Sequence, residues 1–198
     1  MPFPSPPWQL RGQLWLSLFA VGSSGTTDRP PGLYGAAFVD YQEGGVLAYR
    51  ELLVARLARD GMLPRVTITD IWVDSEASRD GGRSLWAIPK ELADLDVGDR
   101  RYGPAAGTRC AAHKGSRPIA GATFTGLPGP SPRTPYAFTT RQERADGSTV
   151  RARVRGTARS LPCLGGWHFA KDGPLAWLRG HPPLISIRAS DFRLTFGA

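Results

Sequence analysis

At 198 residues, with 41% hydrophobic and 21% charged residues, the chain is long enough to bury a core without disulfide or metal staples. No apolar run approaches the length of a membrane-spanning helix. The formal net charge is +8, yet the arginines are scattered, which argues against a nucleic-acid partner because binders concentrate their charge. The densest stretch, Arg151, Arg153 and Arg155, lies on one face if extended and reads as a solvated outer surface.

Pro2 to Pro7 is a proline-rich arm. Leu14 to Val21 is a short apolar run followed by small residues; it faintly imitates a secretion signal but reads better as a buried strand. Gly22 to Gly35 is a loop, with Asp28, Pro30, Pro31 and Gly32 as turn residues. Val46 to Leu57 fits two periods. Leu47, Arg50, Leu53, Val54 and Leu57 form a helical stripe, while Leu47, Tyr49, Glu51, Leu53 and Ala55 alternate as in a strand; periodicity leans to helix. Asp60-Gly61 is a turn, Val66 to Asp74 a strand rich in β-formers, and Ser75 to Gly82 a polar loop.

Arg83 to Ile88 reads as extended and Pro89 to Leu95 as a short helix, since proline is tolerated in a first turn. Four more strands are expected at Thr108 to Ala112, Ile119 to Phe124, Tyr136 to Arg144 and Thr149 to Thr157. Asp146-Gly147 joins the last two as a hairpin. Leu127 to Pro135 is a loop, and Leu184 to Ile187 and Phe192 to Phe196 close the chain as strands. With no repeat and no long linker, residues 1–198 are expected to form one domain.

Cys110 and Cys163 make no disulfide framework, so reduced thiols in a cytoplasmic protein are the simpler expectation. His113, His168 and His181 lack zinc-ligand spacing, and no phosphate loop or nucleophile elbow is present, so no metal or cofactor is expected. Gly165-Gly166 before Trp167-His168 is a place where the backbone can approach a ligand; His168 reads as a satisfied histidine.

Only three of the 25 basic residues are lysines: Lys90, Lys114 and Lys171. Lys90 ends a segment in which Gly82-Arg83 leads through Leu85 to Pro89-Lys90. This spacing resembles the signature of the acetoacetate decarboxylase family. Tyr49-Arg50-Glu51-Leu52-Leu53-Val54 resembles the family strand that carries an active-site glutamate, and Pro7-Trp8 its N-terminal entry. The resemblance implies a mainly β fold (β-rich α+β), an acetoacetate decarboxylase-like barrel with few short helices, in which Val46 to Leu57 is a strand. It implies a homo-oligomer and a small-molecule carbonyl substrate. It also implies that Lys90 forms a Schiff base with a ketone and that Glu51 moves a proton or orients the substrate. Acetoacetate decarboxylase is itself the standing example of a lysine made nucleophilic by a lowered pKa.

A lysine is nucleophilic only when neutral, and in water its pKa is roughly 10.4. An apolar pocket would lower that value. If the chain runs extended to Lys90, then Ser84, Trp86, Ile88 and Lys90 share one face, which makes Trp86 and Ile88 candidate substrate-binding walls. Arg83 reads as structural, a buried partner for Asp74 or Glu76. Three departures from the family matter. Glu91 stands where the decarboxylases place a second lysine, and if it points inward it raises the pKa of Lys90. Gln13, with Arg11 nearby, aligns with the family's N-terminal active-site arginine and is the third candidate substrate-binding residue. The segment Ala58 to Arg65 is too short to carry the family's second glutamate. These point away from acetoacetate decarboxylation. They point toward Schiff-base lyase chemistry of the decarboxylase, aldolase or dehydratase type on a keto acid or polyketide-like compound. The alternative is a cofactor-free cyclase, isomerase or ligand-binding barrel of secondary metabolism.

Overall fold

A computed structural model of the chain describes residues 3–22, 29–60, 63–102 and 105–197. Asp28 of the expected first loop and Gly61 of the expected turn lie outside the described residues. Strand accounts for 65% of the structure and helix for 8%, so the expected mainly β class is what forms. The strands are β1 (Trp8–Val21), β2 (Gly32–Tyr41), β3 (Tyr49–Asp60), β4 (Leu63–Val73), β5 (Lys90–Leu92), β6 (Asp94–Tyr102), β7 (Ala105–Lys114), β8 (Arg117–Gly126), β9 (Arg133–Glu143), β10 (Thr149–Phe169) and β11 (Ile185–Phe196). A single α-helix, α1 (Glu76–Trp86), stands between β4 and β5.

β11 pairs with both β1 and β10, so the strands β11, β1, β2, β3, β4, β9 and β10 close on themselves into a barrel. The long β10 serves two layers: Thr149 to Arg159 pairs with β9 in the barrel wall, and Cys163 to Phe169 pairs with β8. β8, β7 and β6 then fold over the outside of β1, β2 and β3. Alternation sorts the side chains between two cores. Trp15, Phe38, Leu52 and Val54 point outward and pack with Ala112, Phe124 and Phe169 of the covering layer. Val39, Tyr49 and Leu53 belong to the apolar clusters of the lumen.

The barrel has one weak seam. β4 and β9 pair in parallel over only Arg65–Thr139 and Val66–Thr140 before they diverge. Beyond that point the Gln142 carboxamide takes over, accepting from the Ile68 amide at 2.8 Å and donating to the Ile68 carbonyl at 3.0 Å. Buried amides need partners, and this side chain supplies them where the strand does not. Further up, β5 fills the opening beside β4, with Lys90 next to Ile71. The same alternation that puts Ile71 in the lumen puts Lys90 there.

Several expectations are corrected. Ser75 to Gly82 is not a loop and Arg83 to Ile88 is not extended: both lie largely in α1, capped at Ser75, whose hydroxyl accepts from the Ser78 amide. The helix ends at Ala87, in the left-handed region at φ 54°, and Ile88 N–H donates back to the Gly82 carbonyl. A residue with a Cβ costs about 1–2 kcal/mol there. Ala87→Gly is therefore expected to raise the thermal midpoint by about 1–3 °C, read by calorimetry. Pro89 to Leu95 is not a helix but β5 and the start of β6. Gly32 to Gly35 begins β2 instead of ending a loop. Val46 to Leu57, ambiguous by periodicity, is largely β3. The Asp146-Gly147 hairpin forms, with Gly147 at φ 79° and Asp146 Oδ1 accepting from the Ser148 amide.

Candidate active site

Lys90 is 4% exposed and Glu51 3%, at the centre of the barrel wall formed by β3, β4 and β5. Lys90 Nζ donates to Glu51 Oε2 at 2.9 Å, Ser78 Oγ at 2.9 Å and Tyr49 Oη at 3.3 Å. A lysine ammonium has three N–H donors, and here each has an acceptor. Nζ also lies 5.0 Å from the centre of the Tyr49 ring. Tyr41 stacks on Tyr49 at 4.4 Å between ring centres and donates to Glu51 Oε1 at 3.3 Å.

Each element positions its residue for a local reason. Tyr49 and Glu51 are two apart in β3 and so share the lumen face. Ser78, Gly81, Gly82 and Trp86 recur at helical spacing and form the face of α1 that packs inward. Up to Gly82 that face is made of small residues because of what passes beneath it. A Cβ on Gly82 would sit 2.7 Å from Lys90 Cδ, and one on Gly81 would sit 2.5 Å from the Trp8 ring. Arg83 then donates from Nε to the Lys90 carbonyl at 2.6 Å. The Gly-Arg pair of the signature is thus a cradle for the lysine: the glycine clears its stem and the arginine fixes its backbone. Gly82→Ala should displace the Lys90 side chain at a cost of about 1–3 kcal/mol. The expected readout is a lowered unfolding midpoint together with loss of imine trapping at Lys90.

Burial alone would lower the Lys90 pKa, but Glu51 and Tyr49 outweigh it, and the amine is held above the ordinary lysine value. Tyr41 is pushed well above the ordinary tyrosine value, first by burial and then by the Glu51 charge. Burial also raises Tyr49, against the opposing pull of Lys90. Both phenols therefore remain hydrogen-bond donors through neutral and mildly alkaline pH.

The structure brings Lys90 and Glu51 together and separates the other candidates. Trp86 is a core residue, packed edge-on against Trp8 at 4.8 Å and against Phe196 at 4.5 Å. Ile88 is buried in the same cluster. Gln13 pairs in register with Asp40, which pairs with Arg50, so it lies on the outer side of the wall from Glu51. It accepts from Arg188, whose guanidinium lies over Trp15. Glu91 points away from the lumen and forms an exposed ion pair with Lys114 at 2.8 Å. The carboxylate that raises the Lys90 pKa is Glu51, not Glu91. Arg83 is exposed and does not partner Asp74, which is instead engaged by Arg50. At Gly165 the close neighbours are the hydroxyls of Ser186 and Ser17, of which Ser17 Oγ also accepts from Trp167 Nε1, and His168 is exposed.

Tyr49, Ser78, Tyr41 and Gly82 complete the site. Tyr49 was within reach of sequence, since strand alternation places it beside Glu51. Ser78 had no such signal, because a serine face on a glycine-bearing segment looks like a loop. No group of histidine, cysteine and acidic residues suited to a metal occurs among the described residues.

A protonated amine set among a carboxylate and hydroxyls in a barrel lumen defines a site for amine and proton-transfer chemistry. The acetoacetate decarboxylase (ADC) family profile matches residues 26–155, and the chain belongs to that family. Solved structures share its fold at low identity. The acetoacetate decarboxylase of Legionella pneumophila superposes with a TM-score of 0.70 at 14% identity, over 98% of this chain and 86% of that one. The enduracididine biosynthesis enzyme MppR, in complex with pyruvate, gives 0.68 at 16% identity, over 99% and 90%. An acetoacetate decarboxylase-like enzyme from Sphingomonas wittichii RW1 gives 0.65 at 14%, over 98% and 92%. No curated protein sequence matches the chain.

Proposed function

We propose that the protein is a Schiff-base lyase in which Lys90 is the nucleophile and Glu51 the proton-transfer group, acting on a small keto acid or polyketide-like carbonyl compound. The observation that carries this reading is the 2.9 Å contact between Lys90 Nζ and Glu51 Oε2 inside the barrel. Proton transfer along that hydrogen bond gives a neutral amine and a carboxylic acid, the two species the chemistry requires. The amine adds to the ketone carbon. The carboxylic acid returns its proton to the departing hydroxyl, which leaves as water, and a protonated imine remains. That imine accepts the electron pair of a neighbouring bond to carbon as it breaks. Family membership supports the reading, and so does the pyruvate complex of MppR, a protein of the same fold. Ser78 and Tyr49, which hold Nζ in the free state, are placed to hold the imine nitrogen.

The test is borohydride reduction in the presence of pyruvate or acetoacetate, followed by peptide mass spectrometry. A reduced adduct on the Lys90 peptide is expected, absent in Lys90→Ala. No adduct across a broad ketone panel would falsify the covalent reading. The raised Lys90 pKa favours one alternative, a cyclase, isomerase or binding barrel that uses the ammonium as a fixed charge. That alternative predicts that Lys90→Arg retains ligand affinity and turnover, whereas the lyase loses turnover.

A further inference from the structure

We propose that the outer face of β9, β10, β11 and β1 is a docking surface for an acidic, carboxylate-bearing segment of a partner protein. Arg141 of β9, Arg151, Arg153 and Arg155 of β10, Arg193 of β11 and Arg11 of β1 are all exposed on it. They stand in adjacent registers. Arg141 is directly opposite Arg151, and Arg11 is directly opposite Arg193. Like charges at directly opposed positions of a sheet destabilise it. Among the described residues, Arg11, Arg141, Arg153 and Arg155 form no ion pair. Arg193 reaches Asp191 only at 3.9 Å, and that carboxylate is already held by Arg133. Glu143, at the end of β9, and Glu43, next to the groove-lining Gly44, are exposed acids at the margin. The chain carries 25 basic and 17 acidic residues, an excess to which the arginines of this face contribute.

The shape and chemistry select the partner. A groove of about 630 Å³ runs between Arg11, Arg155 and Arg193, with Thr157, Thr195 and Gln9 adding hydroxyl and amide groups. Four adjacent strands span about 14 Å between the outer axes, wider than a single small anion. The outward positions among these arginines, Gln9, Ala137, Thr139, Thr157 and Thr195, carry no aromatic ring on which bases stack, and no helix projects from them to enter a nucleic-acid groove. Planar guanidiniums grip carboxylates in pairs, which suits an extended acidic peptide.

The test titrates the full chain into a fluorescein-labelled oligo-glutamate peptide at low salt and follows anisotropy. Arg153→Glu/Arg155→Glu reverses two exposed charges on the face; Arg109→Glu/Arg117→Glu reverses two exposed charges on β7 and β8. Saturable binding is expected, weakened about tenfold or more by the first pair and far less by the second. Imine trapping at Lys90 should be unchanged in both, which separates this surface from the lumen chemistry. Absence of binding at low salt, or equal losses in the two variants, overturns the proposal. Tighter binding of a single-stranded DNA oligonucleotide than of the peptide overturns it by assigning a nucleic acid. Displacement of the peptide by sub-millimolar inorganic phosphate overturns it in favour of a small-anion site.

Discussion

Glu51→Gln is expected to make imine formation at Lys90 rise with pH, where the wild type is nearly flat, and to lower its plateau. Two influences oppose each other on this amine. Burial disfavours the ammonium, and the Glu51 charge together with Tyr49 favours it; the second group prevails and the amine sits above the ordinary value. In the wild-type protein the reactive pair of neutral amine and carboxylic acid holds the same proton as the resting ion pair, so trapping with pyruvate should be nearly flat with pH through neutrality. A glutamine keeps the size of the side chain and removes its charge, so burial becomes the dominant influence. The amine must now give its proton to solvent, so trapping rises with pH towards an apparent pKa below the ordinary value of roughly 10.4. The plateau falls because glutamine cannot return a proton to the departing hydroxyl. The rate of trapping against pH gives both readouts. The same pH profile in both proteins would show that Glu51 does not take the proton of Lys90. A pH-dependent variant with an undiminished plateau would show that Glu51 takes the proton without acting as the acid.

This arrangement explains why the two catalytic candidates were legible in the sequence and their surroundings were not. Lys90 and Glu51 sit in short segments whose order and spacing match a family signature. The strand alternation around Glu51 is visible once the helical count is set aside. The helix above them is hidden for a physical reason. Amphipathic helices are recognised by an apolar stripe, and the inward stripe of α1 is Ser78, Gly81 and Gly82, with Trp86 at its end as its one large apolar side chain. Two glycines in a helix each cost about 1 kcal/mol relative to alanine, so local propensity argues against the helix that forms. Tertiary contact decides the matter, because only glycine leaves room for the Lys90 stem and the Trp8 ring. Gln13 failed in a different way. Its position in the chain matched a functional one, but a strand has two faces, and Gln13 falls in the register of Asp40 and Arg50 on the far side of the wall. Glu91 is the same case read in reverse: it neighbours Lys90 in sequence and therefore points the other way.

The second large effect is on stability, and it follows from the same pair. Two charges buried together are weakly stabilising as a pair, but removing one leaves the other without compensation, at about 3–5 kcal/mol. Lys90→Met and Glu51→Leu are each expected to lower the unfolding midpoint by about 10 °C or more in a chain of this size. The double variant should recover most of the loss, because it replaces the pair with apolar groups in an already apolar cluster. Urea unfolding of the four proteins gives the coupling energy directly. Additive losses would mean that the two side chains do not interact in solution as they do in the structure. The sign of the alkaline dependence is also fixed. A lysine whose folded pKa is raised contributes stability that is fully present below its unfolded value near 10.4, and loses it as pH climbs through the higher folded value. The wild-type urea midpoint should therefore fall through that alkaline window relative to the double variant, which has no ammonium there to lose. If the two proteins instead decline in parallel above pH 10, Lys90 is not held charged by Glu51, and the free amine is available to a ketone without first giving up its proton.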